Sequence, residues 1–160
     1  MKRYLIILSL LLFLVFSFVP AQEARVRNVI FFIGDGMGLE CVDIARIVLV
    51  GKEGYLDFEK APYVGIAKTY AANTLVTDSA AAGTALATGF KTNNAWLSIT
   101  PDGKVVKTLL EAAKELGKST GLITNVTITH ATPTAFSAHT TSRDELPVAD
   151  QYAEFKTADI

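Results

Sequence analysis

Cysteine is almost missing from this chain: Cys41 is the only one among 160 residues, so no internal disulfide can form. An exported domain of this size without a disulfide depends on its core, on bound metal or on association for stability. Cys41 falls in a helical pattern, and the sequence predicts a small buried side chain there rather than a reactive thiol. Histidine is also scarce, with His130 and His139 alone. Neither sign of charge is in excess, since 15 Lys and Arg stand against 16 Asp and Glu for a formal net charge of −1. Removal of a leader carrying the two cations Lys2 and Arg3 takes it to −3, a mild acidity that argues against a nucleic-acid-binding surface. There is no internal repeat, low-complexity tract or linker.

One long apolar run is present. Met1-Lys2-Arg3 followed by Leu5 to Val19 forms a basic and then an apolar region, closed by Val19-Pro20-Ala21 with small residues near the cut. The run of about 15 residues is short against the ~20 needed to span a bilayer, so residues 1–21 are expected to be a cleaved signal peptide. The protein is then exported, to a periplasmic or extracellular location. Residues 22–160 are expected to form the N-terminal part of a single α/β domain.

The remainder alternates strand and helix patterns. Arg27 to Ile33 reads as a strand buried on both faces, 39–50 as a helix, and Tyr63 to Ala67 as a strand. Residues 79–88 read as a helix ended by Gly89, and 96–99 as a short strand between turns. Val105 to Leu116 carries a helical stripe suited to the core and closed by Gly117. Ser119 to Thr124 is a further strand, and Lys156 to Ile160 looks like the start of another. This alternation predicts a mostly parallel sheet with helices on both faces.

Three segments carry chemistry. In Val76-Thr77-Asp78-Ser79-Ala80-Ala81-Ala82-Gly83-Thr84-Ala85, a serine stands at the head of a run of tiny residues. A hydroxyl at a helix start, beside N–H groups of partial positive charge, suits a phosphorylated nucleophile; a plain N-cap serine fits the segment as well. Asp35, in Gly34-Asp35-Gly36-Met37-Gly38, follows the first strand, where ligands of open α/β sheets bind and where a carboxylate suits a hard or borderline cation. The plain alternative is an Asp in a glycine turn. The third segment runs from Thr129-His130-Ala131-Thr132-Pro133 to His139-Thr140-Thr141-Ser142-Arg143. An extended backbone would point His130 and Thr132 to one side. Pro133 fits the first turn of a helix capped by Thr132. Arg143 offers a planar fork for phosphate. Thr132 as a cap, His139 as a packing group and Arg143 as a surface charge are the bland readings.

Together, in this order, and with Lys91-Thr92-Asn93 following the second, the three strings resemble the alkaline phosphatase family from about Arg27 to the end of the chain. The resemblance implies an alkaline-phosphatase-like α/β fold, incomplete at the C-terminus, and hydrolysis of phosphate monoesters with transfer to an alcohol as a variant. By position it makes Ser79 the nucleophile of a phosphoserine intermediate and Asp35 a carboxylate bridging zinc and magnesium. Thr132 becomes a magnesium ligand, Arg143 the holder of two phosphate oxygens, and Asp78 the group that orients the guanidinium. It implies two zinc ions and one magnesium, and a homodimer in the full-length enzyme.

His130 lies beside the magnesium position, where some bacterial members carry Asp and others His. An imidazole favours softer metals, so a third-site preference shifted toward cobalt or zinc is expected. Members of the family are several hundred residues long and take most zinc ligands from later motifs, so the chain reads as an N-terminal piece, inactive alone and prone to aggregate at a bare sheet edge. Two other readings remain open: a related sulfatase or phosphodiesterase, and a non-catalytic exported remnant that binds phosphate or metal.

Overall fold

The computed structural model describes residues 26–144 and 148–159, so the expected leader at 1–21 lies outside the described residues. The chain divides into two compact units, residues 1–33 and 34–160. In the described part of the first unit, 26–33, Val29, Ile30 and Phe32 are largely exposed and no β-ladder forms. The doubly buried strand expected there is therefore not seen. A strand is defined by a ladder to a partner strand, and no ladder is formed over 26–33.

The second unit carries the helices. They are α1 (Leu39–Val50), α2 (Ser79–Thr88), α3 (Leu109–Glu115), α4 (Ala131–Thr134) and α5 (Val148–Phe155), with a 3₁₀ turn at Asp57–Lys60. None of the described helices is long and apolar enough to cross a membrane. The spans of α1 and α2 are those the sequence predicts. Cys41 sits on α1 but is exposed, contrary to expectation, because no described element covers α1 and none of its residues is buried.

Helix α3 is shorter than its apolar stripe suggests. Thr108 caps it: the Glu111 N–H donates to Thr108 Oγ1 at 3.2 Å, and the Thr108 N–H donates back to Glu111 Oε2 at 2.7 Å. This reciprocal pair is a capping box and fixes the helix start. Val105 instead forms an antiparallel bridge with Ile99, across a turn that Gly103 closes at φ +85°. Val105, Leu109 and Leu116 are exposed, so the stripe is not core among the described residues. The expected strands at 63–67 and 119–124 form no ladder, and the only bridges among the described residues are Ile99–Val105 and Leu97–Thr140, both antiparallel. The 156–159 segment does reach the 119–124 run: the Asp159 N–H donates to the Thr120 carbonyl at 2.8 Å, and Asp159 Oδ2 accepts from the Thr120 N–H at 2.8 Å.

The core lies between α2, α4 and the 97–99 loop. It is made of small side chains: Ala80, Ala81 and Ala87 from α2, and Ala131, Ala135 and Ala138 from the region of α4, with Leu97 and Phe136. Buried polar groups are paired across it. Ser98 N–H donates to Thr84 Oγ1 at 2.8 Å, and Ser98 Oγ donates to the Ala135 carbonyl at 2.6 Å. His139 joins the same framework, one ring nitrogen 3.0 Å from the Ser98 carbonyl and the other 2.8 Å from Glu111 Oε1. Its bland reading as a packing group is the one the structure supports.

Gly83 sets how closely α2 and α4 approach. A Cβ at that position would stand 2.9 Å from the Ala135 Cβ, a distance that neither rigid group can absorb by rotating a side chain. In an ordinary helix Gly→Ala gains about 1 kcal/mol from propensity, whereas overpacking costs about 1–3 kcal/mol. Gly83→Ala is expected to lower the urea midpoint of unfolding, and a raised midpoint would show that the helices can separate freely.

Candidate active site

The site is built at the start of α2. Asp78, with extended backbone (φ −102°, ψ 176°), is the N-cap. Its Oδ1 accepts from the Ala81 N–H at 2.9 Å, and Gly89 ends the helix in the left-handed conformation at φ 80°. Capping therefore belongs to Asp78, and Ser79 is the first helical residue. The Ser79 hydroxyl turns away from the helix and donates to Asp35 Oδ1 at 3.1 Å.

Thr132 reaches the same carboxylate from α4, its hydroxyl donating to Asp35 Oδ2 at 2.7 Å. The sequence expectation that Thr132 caps a helix is corrected: the N-cap is His130, and Pro133 sits within the first turn. The helix starts earlier because the His130 carbonyl accepts from both the Thr134 N–H at 3.1 Å and Thr134 Oγ1 at 2.6 Å. That onset also removes the extended backbone on which His130 and Thr132 would point together, and the two side chains meet different partners.

The pKa of Asp35 is held below the usual carboxylate value. The Thr132 hydroxyl is the main cause; burial opposes it, while the Ser79 hydroxyl and the charges of His130 and Arg143 reinforce it. Two hydroxyls aimed at one carboxylate stabilise its charged form.

Arg143 closes the other side. Its Nη1 donates to Asp78 Oδ2 at 3.3 Å, and its Nη2 lies 3.5 Å from His130 Nε2. His130 Nδ1 is buried with no hydrogen-bond partner among the described residues. A cleft of about 390 Å³ opens beside these groups, lined by Thr127, Thr129, His130 and Arg143 among others.

All six residues singled out in the sequence thus fall into one place. Asp35 joins Ser79 to Thr132, and Arg143 joins Asp78 to His130. Sequence reasoning missed Asn94 and Ala95. The Asn94 side chain accepts from the Asp78 N–H at 3.1 Å, and the Ala95 N–H donates to Asp78 Oδ2 at 2.9 Å. The Asn93-Asn94 pair signals a turn, and nothing in its spacing announces a contact 16 residues back. Ala95 holds φ 70°, a left-handed conformation that costs a non-glycine residue about 1 kcal/mol.

The donor set bears on what the site can hold. Asp35, Thr132 and Ser79 offer oxygens only, which suits a hard hydrated cation of the magnesium type. Among the described residues no group of three or more His, Cys, Asp and Glu side chains is placed to hold a metal, so these residues alone do not close a zinc site of three protein ligands.

Comparison with known proteins identifies the family. The family model described as alkaline phosphatase matches residues 26–158. The chain is similar to the tissue-nonspecific alkaline phosphatase of Gallus gallus, 40% identical over 134 residues that make up 74% of this chain and 26% of that protein. The crystal structure of the Thermus thermophilus alkaline phosphatase superposes with a TM-score of 0.71 at 39% identity, over 85% of this chain and 30% of that one. A variant of the TAB5 alkaline phosphatase, with a histidine replaced by aspartate and magnesium bound in its M3 site, superposes with a TM-score of 0.66 at 31% identity, over 80% of this chain and 36% of that one. The chain spans about a quarter to a third of the length of the curated relatives it matches. Its fold is the alkaline-phosphatase-like α/β fold, and the chain belongs to the alkaline phosphatase family.

Proposed function

We propose that the full-length enzyme to which this chain belongs hydrolyses phosphate monoesters in a metal-dependent reaction through a phosphoserine intermediate on Ser79, and that residues 1–160 alone are inactive. The observation that carries this reading is the convergence on Asp35. One carboxylate receives the hydroxyls of Ser79 and Thr132 at the N-terminus of α2, with Arg143 held by Asp78 beside it.

The residues suit the roles. The α2 N-terminus and the Arg143 fork supply positive charge where phosphate oxygens would lie. The Ser79 oxygen attacks phosphorus, the bond to the ester oxygen breaks, and the leaving alkoxide takes a proton as the alcohol. Water then attacks the phosphoserine, the Ser79 oxygen is released and regains its proton, and inorganic phosphate leaves. The Ser79 proton already points at Asp35. A carboxylate of ordinary acidity is too weak a base to remove it unaided. A bound divalent cation would lower the hydroxyl pKa and balance charge on the phosphate.

Asp35 and Thr132 would hold the magnesium, with His130 beside that position. Two zinc ions, cobalt as an alternative metal, a cleavable leader at 1–21, export to the periplasm or beyond, residues 22–160 as part of one domain, and a homodimer in the full-length enzyme belong to the same proposal. No step is assigned to zinc, whose ligand set these residues do not complete.

The test is hydrolysis of p-nitrophenyl phosphate by the full-length enzyme at alkaline pH with zinc, magnesium or cobalt supplied. Ser79→Ala is expected to lower the rate by about 10³-fold or more, the scale of losing a covalent nucleophile; retention of most activity would reject Ser79 in that role. His130→Asp is expected to move the metal ranking toward magnesium, since a carboxylate favours a hydrated hard cation. Titration of each metal into both proteins would reveal this, and an unchanged ranking would sink the assignment of His130.

A further inference from the structure

Asn94 belongs to none of the roles above, yet its side chain grips the chain immediately before the nucleophile. Its Oδ1 accepts from the Asp78 N–H at 3.1 Å, and its Nδ2 donates to the Val76 carbonyl at 3.0 Å. One planar amide thus pairs with a backbone donor and a backbone acceptor on either side of Thr77, in the way a neighbouring parallel strand would pair. Packing does not fix this turn among the described residues, for Leu75 and Val76 are largely exposed. The polar clamp does.

The clamp is itself anchored. The Asn94 N–H donates to Asn73 Oδ1 at 3.0 Å, and the Thr92 carbonyl accepts from the Ala72 N–H at 2.8 Å. Lys91 Nζ lies over the Tyr70 ring, 3.7 Å from its centroid. The next residue, Ala95, turns its N–H onto Asp78 Oδ2 by adopting a conformation that alanine rarely takes.

Asp78 has two tasks, and both depend on where its backbone stands. Oδ1 holds the first turn of α2, and Oδ2 receives Ala95 and Arg143. A shift of the 76–78 backbone loosens the cap or the guanidinium.

We propose that Asn94 is a positioning residue for phosphate binding. It fixes Asp78, and through Asp78 holds the Arg143 guanidinium in register with Ser79. This inference rests on the phosphoryl-transfer reading given above.

A double-mutant cycle tests it. The full-length enzyme, Asn94→Ala, Arg143→Ala and the double variant are compared for inhibition by inorganic phosphate and for kcat/KM on p-nitrophenyl phosphate. If Asn94 acts through Arg143, Asn94→Ala weakens phosphate about tenfold, and the double variant binds phosphate as Arg143→Ala does, within about twofold. Should Asn94→Ala fail to fold, Asn94→Asp serves. Its carboxylate keeps the acceptor toward Asp78 but opposes the Val76 carbonyl. Its deficit in phosphate affinity relative to the parent should then shrink as falling pH protonates the new carboxyl and restores a donor. Additive losses in the cycle, unchanged phosphate affinity in Asn94→Ala, or a deficit in Asn94→Asp that does not vary with pH would overturn the inference while leaving the catalytic reading intact. A parent protein that neither binds phosphate nor hydrolyses the ester would overturn that reading, and this inference with it.

Discussion

The carboxylate of Asp78 is the constraint on which the candidate site depends. One oxygen caps α2 and so sets where the Ser79 hydroxyl emerges; the other holds Arg143 and the Ala95 N–H. Helix start and guanidinium are thereby referred to a single rigid group. An N-cap is ordinarily worth about 1 kcal/mol of helix stability. Here the same group also excludes Ser79 from the capping role and leaves its hydroxyl for Asp35.

A core of alanine, glycine, serine and threonine follows from the same geometry. Such residues bury little apolar area each, so they contribute modestly to stability by hydrophobic transfer. What they permit is close approach. Gly83 against Ala135 brings α2 and α4 near enough for Ser79 and Thr132 to share one carboxylate. Buried hydroxyls answer buried carbonyls in this core, as Ser98 does for Ala135 and Thr108 for Phe136.

The site was more legible in the sequence than the fold around it. Helix α2 could be read because small residues run unbroken to Gly89, and α1 because its apolar residues recur at helical spacing. Asp35, Ser79, Thr132 and Arg143 could be found because each is an unusual chemical group in an ordered string. The strands could not be placed: apolar runs such as 63–67 and 121–124 specify a strand only when partners supply ladders and cover, and among the described residues those partners are not there. The apolar stripe of α3 misled for a related reason, since the Thr108–Glu111 capping box starts the helix later than hydrophobic spacing implies. Asn94 was invisible because a side chain that mimics backbone pairing has no periodic signature; only its turn-forming character could be read.

The most direct test is to trap the covalent intermediate. The full-length enzyme, supplied with zinc and magnesium, is mixed with p-nitrophenyl phosphate, quenched in acid, digested and examined by mass spectrometry. The account predicts one phosphoryl group on the peptide that contains Ser79, absent after Ser79→Ala. Turnover with the phosphoryl group on another residue, or persisting unchanged in Ser79→Ala, would contradict it.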